Sequence, residues 1–60
     1  MDILTALYAA KHYQSVRLPA LCEAQDVLEA AGFEAEALSV EEYLIDQSDE
    51  AWEACGVKPY

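Results

Sequence analysis

Pro19, Gly32 and Gly56 divide this chain into pieces no longer than a short helix, and that punctuation constrains the fold more than any other feature. Proline is pre-shaped for the first turn of a helix, and glycine adopts the left-handed conformation that ends one. Between these marks the chain is rich in helix formers, with eleven alanines and seven leucines among its 60 residues. Chains of about this size bury only about 60 % of their unfolded surface, so the core is small and close packing through alanine is the natural solution. The expectation is a single all-α domain over residues 1–60, a small bundle of three to four short helices.

Asp2 is placed to cap a first helix from Ile3 to about Tyr13. Its expected inner stripe is Ile3, Leu4, Leu7 and Ala10, with Thr5, Ala9 and His12 opposite. Lys11 and His12 fall in its last turn, where positive charge suits the helix dipole. Residues 14–18 read as a connector, extended in the alternative, because the proline ring pushes Leu18 out of helical geometry. Pro19 then opens a second helix running to Ala31 and stopped by Gly32. Its inner face is Leu21, Ala24, Leu28 and Ala31, flanked by Ala20 and Val27, while Glu23, Asp26 and Glu29 lie on the other side. Phe33 can fold back on that helix end. Residues 33–38, FEAEAL, alternate apolar and acidic; glutamate and alanine are poor strand formers, so this piece reads as an extended connector.

Ser39 with Glu42 three residues later has the form of a capping box, which predicts a helix from Val40 with Val40, Tyr43 and Leu44 on one face. Ser48 followed by Asp49 and Glu50 predicts a further start, since acids are favoured in a first turn, and Gly56 predicts its stop. A single helix over 40–55 is the rival reading, and the break at Ser48 is preferred. Trp52 is assigned to the core, and the tail VKPY to loose packing.

Charge is unevenly divided. Residues 1–22 carry Asp2 against Lys11 and Arg17, net +1, whereas residues 23–60 carry eleven acids against Lys58, net −10, which sums to the formal −9. Such a chain is repelled by nucleic acid phosphates and by anionic membranes, so its expected partner is a basic surface, with no direct nucleic acid contact and no membrane. Asp2 directly after Met1 does not resemble a basic signal n-region, and no run approaches the about 20 apolar residues of a membrane span, so a cytoplasmic location is expected. In a reducing compartment Cys22 and Cys55 are expected to be small, buried, unpaired side chains.

No catalytic motif appears, and no cofactor is implied. His12, Cys22 and Cys55 are separated by 10 and 33 residues, which matches no zinc pattern. The run Asp46–Gln47–Ser48–Asp49–Glu50 lacks the glycine and the terminal glutamate spacing of a calcium-binding EF-hand loop. A chain this short offers scarcely any cleft to exclude water, so no enzyme is expected. The acids are the functional candidates. On a helix, carboxylates three or four residues apart lie about 4.5 to 6 Å apart along the axis, of the same order as successive phosphates of a nucleic acid strand. A solvated face kept acidic for solubility is the plain alternative, but like charges at this density lower the stability of a domain with little to spare. Glu41, Glu42, Asp46, Asp49, Glu50 and Glu53 are the first candidates for partner binding, joined by Glu34, Glu36, Glu29 and Asp26. Tyr8, Tyr13 and Tyr60 are candidates for a binding rim.

Short length, alanine-rich helices and acids concentrated at Glu23, Asp26, Glu29, Glu34, Glu36, Glu41, Glu42, Asp46, Asp49, Glu50 and Glu53 resemble the small phage-encoded anti-CRISPR proteins and other phage DNA mimics. The opening MDILTALYAAKHY also resembles small inhibitors of type I CRISPR systems. The resemblance is one of character along the whole chain and includes no diagnostic motif. It implies a viral inhibitor that binds a CRISPR effector complex, setting carboxylates on the lysines and arginines that read DNA beside the protospacer, and so blocks target DNA. A non-mimic adaptor or antitoxin-like module that binds one basic protein is the alternative, and a purely structural subunit a third.

Overall fold

The computed structural model describes residues 1–56, which form four α-helices with no strand among the described residues. They are α1 (Ile3–Lys11), α2 (Leu18–Ala30), α3 (Glu34–Ile45) and α4 (Asp49–Ala54), with a 3-10 turn at Tyr13–Ser15 between the first two. The all-α expectation is met. The tail 57–60, with Lys58 and Tyr60, lies outside the described residues. None of the helices is long and apolar enough to cross a membrane.

Helix α2 is the centre of the bundle and packs on both α1 and α3. Its start differs from expectation by one residue: Leu18 is already helical and Pro19 takes the second position. The proline ring disfavours helical backbone at Leu18, but that side chain is buried in the core, and packing overrides the local bias. At the other end Gly32, with φ +88°, donates to the Glu29 carbonyl at 3.1 Å, and Phe33 donates to the Leu28 carbonyl at 2.9 Å. This pair of bonds is a Schellman stop, and it requires the left-handed residue that Gly32 supplies. Leu21, Ala24 and Leu28 are buried as expected. Ala31 is exposed, because it belongs to the stop and not to the inner face, and Gln25 takes a core position instead, donating to Glu29 at 3.2 Å.

In α1 the cap is as expected, Asp2 Oδ1 accepting from the Thr5 N–H at 2.8 Å, but the inner stripe is not. Ala6 and Ala9 are buried, Leu7 and Ala10 half-buried, and Ile3 and Leu4 lie exposed, Leu4 at 77 %. Ala9 therefore faces the core rather than away from it. The helix is rotated by about one residue, or about 100°, from the face its largest side chains suggest. Small residues on α1 (Ala6, Ala9) and on α2 (Ala24) belong to one buried cluster, and small side chains let two helices approach closely.

Residues 33–38 are not an extended connector. Helix α3 begins at Glu34, and Ser39 sits inside it, its hydroxyl donating to the Ala35 carbonyl at 3.1 Å, so the Ser39–Glu42 capping box does not form. Alanine and glutamate are strong helix formers, and Glu34 and Glu36 occupy the first turn, where the dipole favours them. Val40 and Leu44 are buried with Ala37, and Tyr43 is half-buried, its ring 4.6 Å from that of Tyr13. Gln47 ends the helix by donating its side-chain amide to the Tyr43 carbonyl at 3.1 Å.

The break at Ser48 is present, and the rival single helix over 40–55 is not. Ser48 Oγ accepts from the Ala51 N–H at 3.3 Å, Asp49 and Glu50 fill the first turn, and Gly56 follows the last turn with φ +75°. Trp52 is 2 % exposed and closes the core formed by Ala6, Ala9, Leu18, Leu21, Ala24, Leu28, Ala37, Val40 and Leu44. Short α4 is thus pinned by one large aromatic. Cys22 is half-buried and Cys55 exposed, both as free thiols. Cys55 escapes burial because it is the capping residue after α4.

Candidate functional site

With Ala37, Val40 and Leu44 turned inward, the acids of α3 take the remaining sides of the helix. At about 100° per residue, Glu42 and Asp46 fall on the side opposite the core, with Ala35 and Ser39. Glu34, Leu38, Glu41 and Ile45 form one flank, and Glu36, Tyr43 and Gln47 the other. The burial pattern follows this division: Glu42 and Asp46 are exposed, while Glu36 and Glu41 are half-buried at the edges of the core stripe. Asp49, Glu50 and Glu53 of α4 are exposed, as are Glu29 and Asp26 on α2.

Two shallow surface grooves gather some of these acids and leave others apart. The first, about 430 Å³, is lined by Glu29 of α2 and by Glu34, Ala37, Leu38 and Glu41 of α3. The second, about 440 Å³, is lined by Tyr13, Ser39, Glu42, Tyr43 and Asp46. The candidate set is therefore not one continuous face. Glu29, Glu34 and Glu41 meet on one flank, Glu42 and Asp46 lie at the outer side beside the tyrosine pair, and Asp49, Glu50 and Glu53 sit on α4. Asp26 and Glu36 line neither groove.

Few of the chain's carboxylates have a side-chain, backbone or terminal partner among the described residues. Glu23 pairs with the Met1 ammonium, Glu29 accepts from Gln25, and Asp2 caps α1. Asp26, Glu34, Glu36, Glu41, Glu42, Asp46, Asp49, Glu50 and Glu53 have no ion-pair or side-chain hydrogen-bond partner among the described residues. The hydrogen bond it donates to the Glu23 carboxylate raises the Met1 ammonium above its ordinary value, and the bonds from Thr5 hold the Asp2 carboxyl below its own. Burial, with Asp26 nearby, pushes the Cys22 thiol up, which disfavours its thiolate.

Of the tyrosines, Tyr8 is exposed and stacks on His12, with ring centroids 4.3 Å apart, while Tyr13 is partly covered by Tyr43. No group of three or more His, Cys, Asp or Glu side chains is arranged to hold a metal ion among the described residues. Sequence reasoning missed two residues of the surface. Leu38 and Ile45 are 53 % and 63 % exposed, lying between Glu34, Glu41 and Glu42. Their signal was the spacing 34, 38, 41, 45, which is visible once α3 is read from Glu34.

The surface and fold together define a class, a small all-α bundle with an acidic exterior whose carboxylates mostly have no partner among the described residues. Comparison of the chain with protein-family models, curated proteins and solved structures finds no match.

Proposed function

We propose that the protein is a stoichiometric inhibitor of a nucleic-acid-handling complex, of the phage anti-CRISPR kind. It binds a CRISPR effector through its acidic surface and keeps target DNA out. The reading is carried by one observation: the carboxylates of α3 and α4 stand on short helices without partners among the described residues. Unpaired like charges destabilise a small fold, so a basic partner gives them a role that solubility alone does not need. Glu42 and Asp46, one turn apart, are separated by about 6 Å along the helix axis, close to two steps of the about 3.4 Å axial rise per phosphate of each DNA strand. Helices present the charges in fixed geometry, whereas an acidic tail pays ordering entropy on binding. The reading needs no cofactor and no catalytic group.

A second reading, a basic-protein adaptor or antitoxin-like module that does not imitate DNA, is favoured by Leu38 and Ile45, since apolar side chains between the acids have no counterpart in a phosphate backbone. Displacement of target DNA from a purified effector separates the two. Replacing Glu41, Glu42, Asp46, Asp49, Glu50 and Glu53 by their amides removes charge and keeps shape. Under the inhibitor reading this variant stays folded and loses displacement, while amides at Glu23, Asp26 and Glu29 have a smaller effect. Parental displacement by the six-amide variant would sink the DNA-mimic reading.

A further inference from the structure

Along the flank of α3 that faces away from Tyr13 the residues alternate in kind: Glu34, Leu38, Glu41, Ile45. Leu38 and Ile45 are two turns apart, about 10.5 Å along the axis, and both are more than half exposed. Glu34 and Glu41 border this apolar line on its core side, and Glu42 borders it on the outer side. Glu29, reaching from α2, joins Glu34, Ala37, Leu38 and Glu41 around a groove of about 430 Å³. Single exposed apolar side chains are ordinary on any protein, but here two of them share one helical line whose acids have no basic partner among the described residues. Helices α2, α3 and α4 contain no lysine or arginine at all.

The charge pattern selects among possible occupants. Nucleic acid and anionic membranes are repelled, and a second copy of the chain would bring its own acids against these. A purely apolar segment would cover Glu34 and Glu41 without pairing them, which is costly. We propose that this flank docks an amphipathic basic helix of the partner protein, with apolar side chains at helical spacing over Leu38 and Ile45 and lysine or arginine reaching Glu29, Glu34, Glu41 and Glu42. The proposal rests on the reading of the acidic surface as a protein-binding one and deepens it: charge brings the partner in, and the apolar line fixes which basic segment is held.

The test uses the full chain and two fluorescent peptides of identical leucine, lysine and alanine content. One carries leucines along a single helical side, and the other has them scattered. The ordered peptide is expected to bind about tenfold tighter, since burying one leucine-sized side chain is worth at least that much. The variant Leu38→Ser with Ile45→Ser keeps every acid and, because both residues are exposed, an unchanged melt; it is expected to bind both peptides with the affinity of the scattered one. Equal binding of the two peptides by the parent, or an ordered-peptide preference that survives in the double variant, overturns the docking site and leaves the charge-based reading standing. The six-amide variant run alongside reports on that reading itself. If it holds both peptides at parental affinity, the acidic-surface reading fails, and the docking site fails with it.

Discussion

Leu28 is fully buried in the last turn of α2, the helix on which α1 and α3 both pack, and belongs to the one buried cluster of the fold. Truncating a buried leucine to alanine costs about 2 to 5 kcal/mol, comparable with the whole stability of so small a domain. Leu28→Ala is therefore expected to lose most of its helical circular dichroism at 25 °C, and a melt matching the parent would show that the core can close around the gap. Asp2 acts through one proton instead. Its carboxylate accepts from Thr5, which lowers its folded pKa below the ordinary 3.8. A depressed carboxyl contributes stability that is fully present above the ordinary value and is lost as pH falls through the folded one. Asp2→Asn keeps a capping oxygen without the titration. The difference in melting temperature between parent and variant is thus expected to be flat above about pH 5 and to shrink below the ordinary value near 3.8. A difference independent of pH down to pH 2 would mean that the cap contributes only geometry.

At the scale of the elements, two serines separate what a sequence reveals from what it conceals. Ser48 caps α4 through the Ala51 N–H, whereas Ser39, which with Glu42 three residues on has the form of a capping box, donates back into the turn before it. Ser48→Ala is expected to cost about 1 kcal/mol, and Ser39→Ala is expected to be neutral or slightly stabilising, since alanine is the better mid-helix residue. A loss at Ser39 equal to that at Ser48 would contradict a helix beginning at Glu34. The same pair explains what could be read beforehand. Gly32, Gly56 and Ser48 act through backbone conformation or a local bond, so their effects do not depend on the rest of the fold and were legible. The residues 33–38 alternate over too short a run to distinguish period two from a helix that happens to place glutamates at 34 and 36, and the helix propensity of alanine and glutamate decided the matter. The rotation of α1 was hidden for a related reason: side-chain size points to Ile3 and Leu4, but the close approach of helices selects Ala6 and Ala9. The acids of the surface were legible because charge is solvated by default. Leu38 and Ile45 were not, because a helix started at Val40 leaves Leu38 outside it and breaks the line the two residues form.

For the whole molecule, charge acts in opposite senses on folding and on binding. The formal charge of −9 is spread over a body with principal extents of only 30 × 17 × 17 Å, and nearly all of it is acid without a partner among the described residues. At about 0.01 M salt the screening length is about 30 Å, so every carboxylate repels every other across the molecule, whereas at about 1 M it is about 3 Å and only nearest neighbours interact. The melting temperature is therefore expected to rise steadily with sodium chloride. A fold held by surface ion pairs would show the reverse, and the one pair found among the described residues, between Met1 and Glu23, is too exposed at Glu23 to impose it. Over the same range, attraction to a basic groove weakens, so the concentration needed to displace DNA from an effector is expected to rise. That assay has a confounding effect built in, because DNA binding to the effector itself weakens with salt. The cleaner measurement is direct binding of the protein to the effector without DNA, followed beside the melt in the same buffers. Stability rising while affinity falls is the signature of an unneutralised acidic surface that meets a basic one. Affinity unchanged across the series would move the binding energy from the carboxylates to Leu38, Ile45 and the exposed Tyr8, and the adaptor reading would then replace the inhibitor one.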